Sequence, residues 1–244
     1  MNWLTNWMMR EGPGIPKNAP KKKGLALFAF ILVREAWDLF KLNILMLVCS
    51  IPVVTAPAAL AAGMSIANVM IEDDNVWLWR DFRRAFARHF WPATGWGLLA
   101  AAVLGLAGYA VYIYGQLARH ALVYVLPTAI GVCVIAFVAI VAVCLFSVLT
   151  RFPLSGKRLL QVALLAALAR PLPVLAGLAF VAALWLIHIA FYPVTVFTPV
   201  VFNFSLGALA LAFGAHKATG FAFSRIMGVE HMDAQTMTTA QKRV

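Results

Sequence analysis

Charge is scarce in this chain. Of 244 residues only 12% are Asp, Glu, Lys or Arg, while 63% are hydrophobic and the mean hydropathy is +0.87. A soluble domain averages about 25% charged and about 45–50% apolar residues. Too few polar side chains exist here to coat a water-facing surface, which excludes a soluble globular domain and a disordered chain and makes lipid the main solvent. Acids are scarcer still, nine Asp+Glu against twenty Lys+Arg, for a net charge of +11. A nucleic-acid reading of that excess needs a water-exposed basic domain, and no polar segment is long enough to form one. The excess reads instead as the Lys and Arg of cytoplasmic loops.

Chemistry-bearing motifs are missing too. The acids Glu11, Glu35, Asp38, Glu72, Asp73, Asp74, Asp81, Glu230 and Asp233 all fall between the apolar runs, none in the middle of one. Proton pumps and many ion-coupled carriers depend on intramembrane ionisable groups, so a proton-coupled carrier is disfavoured. The histidines His89, His120, His188, His216 and His231 share no i, i+4 pairing and there is no HExxH, which argues against a metal site. Ser205, in NFSLG, lacks the GxSxG pattern of a nucleophile elbow. No P-loop, GxGxxG or CxxC occurs, so no cofactor and no enzymatic activity are expected. Cys49, Cys133 and Cys144 lie inside apolar runs and read as small buried hydrophobes. The first ten residues, MNWLTNWMMR, carry no apolar core for a cleavable signal.

Long apolar runs are what the sequence has instead, at 42–71, 91–118, 121–150, 171–191 and 195–216. A membrane helix needs about 20 apolar residues, so the last four read as single spans. The first would reach about 45 Å as one helix, against a hydrocarbon core of about 30 Å. It holds Pro52 and Pro57 in IPVVTAP, and each proline disfavours helix at the residue before it. Thr55 is placed to bond the carbonyls such a break frees.

Loop charges choose between one kinked span and a hairpin. With a cytoplasmic N-terminus and a hairpin, segments 1–41, 72–90, 151–170 and 217–244 are all cytoplasmic and carry 7, 4, 4 and 4 Lys+Arg, leaving only Arg119 outside. A single span would put 8 inside against 12 outside. The positive-inside rule selects the hairpin. The expected fold is therefore all-α, a polytopic transmembrane bundle of about six membrane helices with both termini cytoplasmic. The spans are placed at about 40–54, 57–71, 91–115, 122–150, 171–191 and 197–216. The first two form a short hairpin broken at Pro52 and Pro57. A flexible basic leader (1–24) precedes this single membrane domain (25–220), and a cytoplasmic tail (221–244) follows it. Residues 25–41 read as a cytoplasmic-side helix feeding the first span.

Residues 77–90, WLWRDFRRAFARHF, read as an interfacial helix. Trp79, Phe82, Phe86 and Phe90 recur at helical spacing on one face; Arg80, Arg84 and Arg88 recur on another, with Arg83 beside them. Aromatics toward lipid and arginines toward water suit the headgroup layer, with anionic headgroups as one partner and a partner protein as another. Inside or beside the spans, Asn43, Asn68, Asn203 and Gln116 are the notable uncharged polar groups, with His188 near the outer end of the fifth helix. They bond across helices or, in the alternative, line a solute path. Small residues at fourfold spacing, Gly97, Ala101 and Gly105 and then Ala208 and Ala212, mark faces for tight helix packing.

The leader EGPGIPKNAPKKKG, then LFKLNILMLVCSIPVVTAPAALAAGM, then DFRRAFARHFWPATGWGLL, taken in that order, resemble the YesL-like family of bacterial integral membrane proteins. The resemblance covers most of 11–220 and is most specific over 38–97. It implies a bacterial plasma membrane. Family members have no established activity and are often encoded beside carbohydrate ABC transporters, so the resemblance implies an accessory role beside importer permease subunits. No functional residue carries over. Two expectations follow: a non-enzymatic accessory or scaffold protein, or a small-solute transporter or channel without proton coupling. Convergence of Asn43, Asn68, His188 and Asn203 on one wet cavity would favour the second; dispersal among helix contacts would favour the first.

Overall fold

The computed structural model describes residues 24–154, 156–192, 195 and 197–241, with side chains placed through 228. The leader expected at 1–24 thus lies outside the described residues but for Gly24. Among the described residues there are eight α-helices and no strand. They fall into two compact units that divide after Arg34. The first holds α1 (Leu25–Arg34), whose Arg34 guanidinium lies 5.5 Å from the centre of the Phe30 ring one turn back.

The second unit is the bundle: α2 (Ala36–Ser50), α3 (Ala56–Glu72), α4 (Leu78–Ala118), α5 (Val125–Arg151), α6 (Gly156–Ala169), α7 (Pro171–Ala190) and α8 (Phe204–Gln241). Among the described residues five segments are long and apolar enough to cross a membrane: Val53–Glu72, Leu78–Ala118, Leu122–Arg151, Pro171–Ala190 and Pro199–Gly228. Their lipid-facing sides are rich in exposed Leu, Val, Ile and aromatic residues, such as Leu98, Leu106, Tyr112, Ile130 and Leu186. The chain is a polytopic membrane helix bundle. The first of the six expected membrane helices, α2, has 15 residues, about 22 Å by helical rise, and falls short of a full crossing.

The hairpin turns where the prolines dictate. Pro52 is extended, a 3₁₀ turn spans Val53–Thr55, and Pro57 enters α3 in its first turn, where its missing N–H leaves no gap. The Thr55 hydroxyl lies 2.5 Å from the Cys49 carbonyl and 2.7 Å from that of Pro52, covering acceptors the break leaves open. Beyond it, Met46 of α2 packs against Gly63 of α3, so the chain has doubled back. α3 then runs through the middle of the bundle against α2, α4, α5 and α8. Ten of its 17 residues are buried, five of them Ala or Gly between 58 and 63, and small side chains let four neighbours approach. Asp73 ends α3 at φ 67°, and the Asp73 and Asp74 amides bond the Met70 and Val69 carbonyls in a Schellman closure.

α4 corrects the expected division between an interfacial helix over 77–90 and a span from 91. One helix of 41 residues runs through Pro92. Phe82, Ala85, His89 and Ala93 are buried and recur at spacings of 3, 4 and 4, a single stripe that holds both halves in line. Pro92 sits on the exposed side, as does Arg88, so the carbonyl freed by the missing N–H faces the surroundings rather than the core.

α6 lies where the charges of 151–170 pointed to a loop. Leu159, Val162, Ala163, Ala166 and Ala167 form its buried face, which packs on α5 and α8. α7 and α8 approach closely at two glycines. A Cβ on Gly177 would lie 2.8 Å from the Ala210 carbonyl oxygen, and one on Gly214 would lie 2.5 Å from that of Pro173. Of the small residues expected at interfaces, Gly97 meets Pro57 and Ala208 and Ala212 are fully buried, whereas Ala101 and Gly105 are exposed. Cys144 is buried, Cys49 half-buried and Cys133 exposed, which corrects the expectation that all three lie inside.

Contacts fix which ends coincide. Glu72 at the end of α3, Arg151 at the end of α5 and His216 in α8 meet, so these three helices run in one direction. α4 leaves from the Glu72 end, and Arg170, at the start of α7, lies over Phe221 of α8. Lys41, Arg80, Arg83, Arg84, Arg88, Arg151, Lys157, Arg158, Arg170 and Lys217 therefore gather at one end, and Arg119 lies at the other.

Candidate functional site

Polar residues of different helices meet at three places in the bundle, while His89 and Thr94 are buried on α4 apart from them. At the first, α8 begins irregularly. Pro199–Asn203 form a π turn, which loosens the i→i−4 ladder. Asn43 of α2, fully buried, reaches across to it. Its Nδ2 donates to the carbonyls of Pro199 and Val200 at 2.9 and 2.7 Å, and its Oδ1 accepts the N–H groups of Phe204 and Ser205 at 2.9 and 3.0 Å. Donors face acceptors on both sides, so one orientation of the amide satisfies all four bonds. Asn203, within the same turn and 4% exposed, has a buried Nδ2 with no partner.

The second place is the junction of α3, α5 and α8 at the basic end. The Arg151 side chain is 15% exposed. Its Nη1 donates to the His216 carbonyl at 2.8 Å and to the Thr219 hydroxyl at 3.1 Å, and its Nη2 donates to Glu72 Oε1 at 3.2 Å. Nη2 also lies 3.5 Å from His216 Nε2. With that nitrogen as acceptor, the proton sits on His216 Nδ1, which faces Asn68 Oδ1 at 3.5 Å; Asn68 Nδ2 then points at the Thr150 hydroxyl at 3.4 Å. The Thr150 hydroxyl closes on the Phe146 carbonyl at 3.0 Å, and Ser147 and Thr219 stand 3.4 Å apart. Just outside, Phe152 and Phe223 stack at 4.0 Å.

His188 occupies the third place, the end of α7. Its Nδ1 lies 2.9 Å from the Thr195 carbonyl, and the Thr195 hydroxyl donates to the His188 carbonyl at 2.9 Å, a reciprocal pair that closes the turn. Trp185 and Tyr192 meet the imidazole edge-on at 6.0 and 6.3 Å. Asn43 and Asn203 thus share one turn, while Asn68 and His188 each lie elsewhere. The sequence pointed to Asn43 and Asn68 as polar groups but not to Arg151, Glu72 or Thr219, which sit at run boundaries and read as loop residues. Among the described residues no cluster of three His, Cys, Asp or Glu could hold a metal ion.

The basic aromatic segment divides by face. Phe82 is buried and Phe86 and Phe90 half-buried, in a ladder with ring centres 6.2 and 5.6 Å apart. This stripe packs into the bundle, not outward as expected, because it continues the buried face of α4. Trp77, Trp79 and Trp91 are the exposed aromatics, and Arg80, Arg83, Arg84 and Arg88 are exposed with them. Asp81 accepts the Trp77 amide at 2.9 Å and the Arg80 Nε at 3.1 Å, fixing the start of α4.

This arrangement defines an integral membrane bundle whose internal polar groups tie helices together. Residues 39–111 match the model of a family described as a protein of unknown function, DUF624. The match holds the hinge, Asn43, Asn68, Glu72 and the arginines of α4, and stops short of Arg151 and the π turn. No curated protein and no solved structure matches the chain.

Proposed function

We propose that this is a non-enzymatic accessory or scaffold protein of the bacterial plasma membrane, YesL-like, with both termini cytoplasmic, working beside the permease subunits of a carbohydrate ABC importer. The observation that carries the accessory reading is the dispersal of the polar groups: Asn43, Asn68 and His188 serve three separate contacts. A protein so built offers surfaces for contact. The importer is supported by the family resemblance alone. The test is to tag the chain, solubilise gently and identify co-purifying proteins, then delete the gene and measure uptake of the neighbouring importer's sugar. Permease subunits should co-purify and uptake should fall. Purified protein that carries a solute into liposomes unaided, with no membrane partner recovered, overturns the reading.

One observation favours the second reading, a small-solute transporter without proton coupling. Transporters build sites from broken helices, and the π turn interrupts the start of a spanning segment beside a buried Asn203 Nδ2 that has no partner.

The basic end is assigned to the cytoplasm by the positive-inside rule. Single cysteines Val76→Cys, Arg119→Cys and Lys157→Cys in a cysteine-free background test this. An impermeant thiol reagent on intact cells should label position 119 alone, and labelling at 76 or 157 reverses the assignment.

A further inference from the structure

An open groove of about 660 Å³ lies at the basic end, between the first turns of α2 and the start of α4. Its rim carries Asp38, Lys41 and Arg80, two cations and one acid. Ile44 and Leu45 form its wall one turn further along α2, about 5 Å from Lys41 by helical rise. Trp77 and Trp79 also line it and are 66% and 68% exposed. Indoles belong at the headgroup level of a bilayer, and the polarity of the groove follows that of a lipid: charge at the rim, hydrocarbon along the wall.

We infer that the groove holds one monoanionic glycerophospholipid, its phosphodiester between Lys41 and Arg80 and an acyl chain along Ile44 and Leu45. Two cations on different helices flank the groove, and one acid, Asp38, lines it with them. Both cations already have acid neighbours, Lys41 with Asp38 and Arg80 with Asp81, but exposed pairs of this kind are weak. The Arg80 pair uses Nε, which leaves the two Nη groups of the fork for phosphate oxygens. The guanidinium lies 5.4 Å from the centre of the Trp77 ring, and both side chains line the groove. A free phosphate would have no use for the apolar wall, and a diffuse arginine patch would have no use for Lys41 on another helix. The inference rests on the basic end lying in the headgroup layer and not on the accessory reading: a chain that transports a solute yet keeps this lipid preference would sink that reading and leave the groove intact.

The experiment is native mass spectrometry of the full chain released from micelles holding equal phosphatidylglycerol and phosphatidylethanolamine. One phosphatidylglycerol per chain should be retained in preference. Lys41→Gln and Arg80→Gln should each weaken retention about fivefold, while Arg88→Gln, outside the groove, should leave it unchanged. All three positions lie outside the buried core, and unchanged melting curves confirm folding; Arg80→Lys should recover part of the loss. Equal retention of the two lipids, an Arg88→Gln effect as large as the groove variants', or displacement by millimolar inorganic phosphate overturns the proposal.

Discussion

Asn43→Leu should destabilise the bundle by about 3 kcal/mol, read as a lower midpoint in SDS-driven unfolding of the purified chain. The estimate counts four bonds at roughly 0.6–1 kcal/mol each, the measured scale for polar contacts between membrane helices. All four go to backbone of the π turn that opens α8. In lipid no water stands ready to take over those groups, so the loss falls on the native state. Asn43→Asp makes the sharper variant: it keeps an acceptor for the Phe204 and Ser205 amides but sets a second oxygen against the Pro199 and Val200 carbonyls. It should be at least as damaging as leucine. A loss under about 1 kcal/mol for both would mean that the turn holds its shape without α2.

Legibility followed the range of the physics. The hinge was open to reading because proline geometry and a threonine hydroxyl act within a few residues, as the Thr55 bonds to Cys49 and Pro52 show. The Asn43 clamp was not, since its partners lie 156 to 162 residues away and nothing local in LFKLNILML specifies them. Helical spacing found the stripe of Phe82, Phe86 and Phe90 but could not say which medium it faces; packing turned it inward. Charge misled twice. Lys157 and Arg158 disguised the first turn of α6, whose apolar spacing after Leu159 is regular. Arg151, counted as a loop cation, is the centre of the α3–α5–α8 junction. Charge counting sums over many residues, so a single misread cation such as Arg151 does not change which ends of the bundle it groups; ten of the counted cations, from Lys41 to Lys217, lie together at one end.

Arg151→Met should cost about 2–4 kcal/mol, whereas Glu72→Gln should cost under about 1 kcal/mol, by the same unfolding measurement. The two differ although they share a bond. Arg151 is 15% exposed and Glu72 47% exposed at the side chain, so the carboxylate without its partner remains solvated and its loss is that of a largely exposed ion pair. Removing the guanidinium also strips donors from the His216 carbonyl and the Thr219 hydroxyl, at 2.8 and 3.1 Å, and bonds to a charged donor contribute about 1.5–3 kcal/mol each. Methionine retains much of the stem's apolar volume, which keeps the comparison on hydrogen bonding. Arg151→Lys should recover only part of the loss, because a single ammonium lacks the fork that reaches α3 and α8 together. The double variant should show coupling no larger than the Glu72→Gln effect itself. Equal losses for Arg151→Met and Glu72→Gln would place the energy of the junction in the ion pair and leave the α5–α8 bonds without weight.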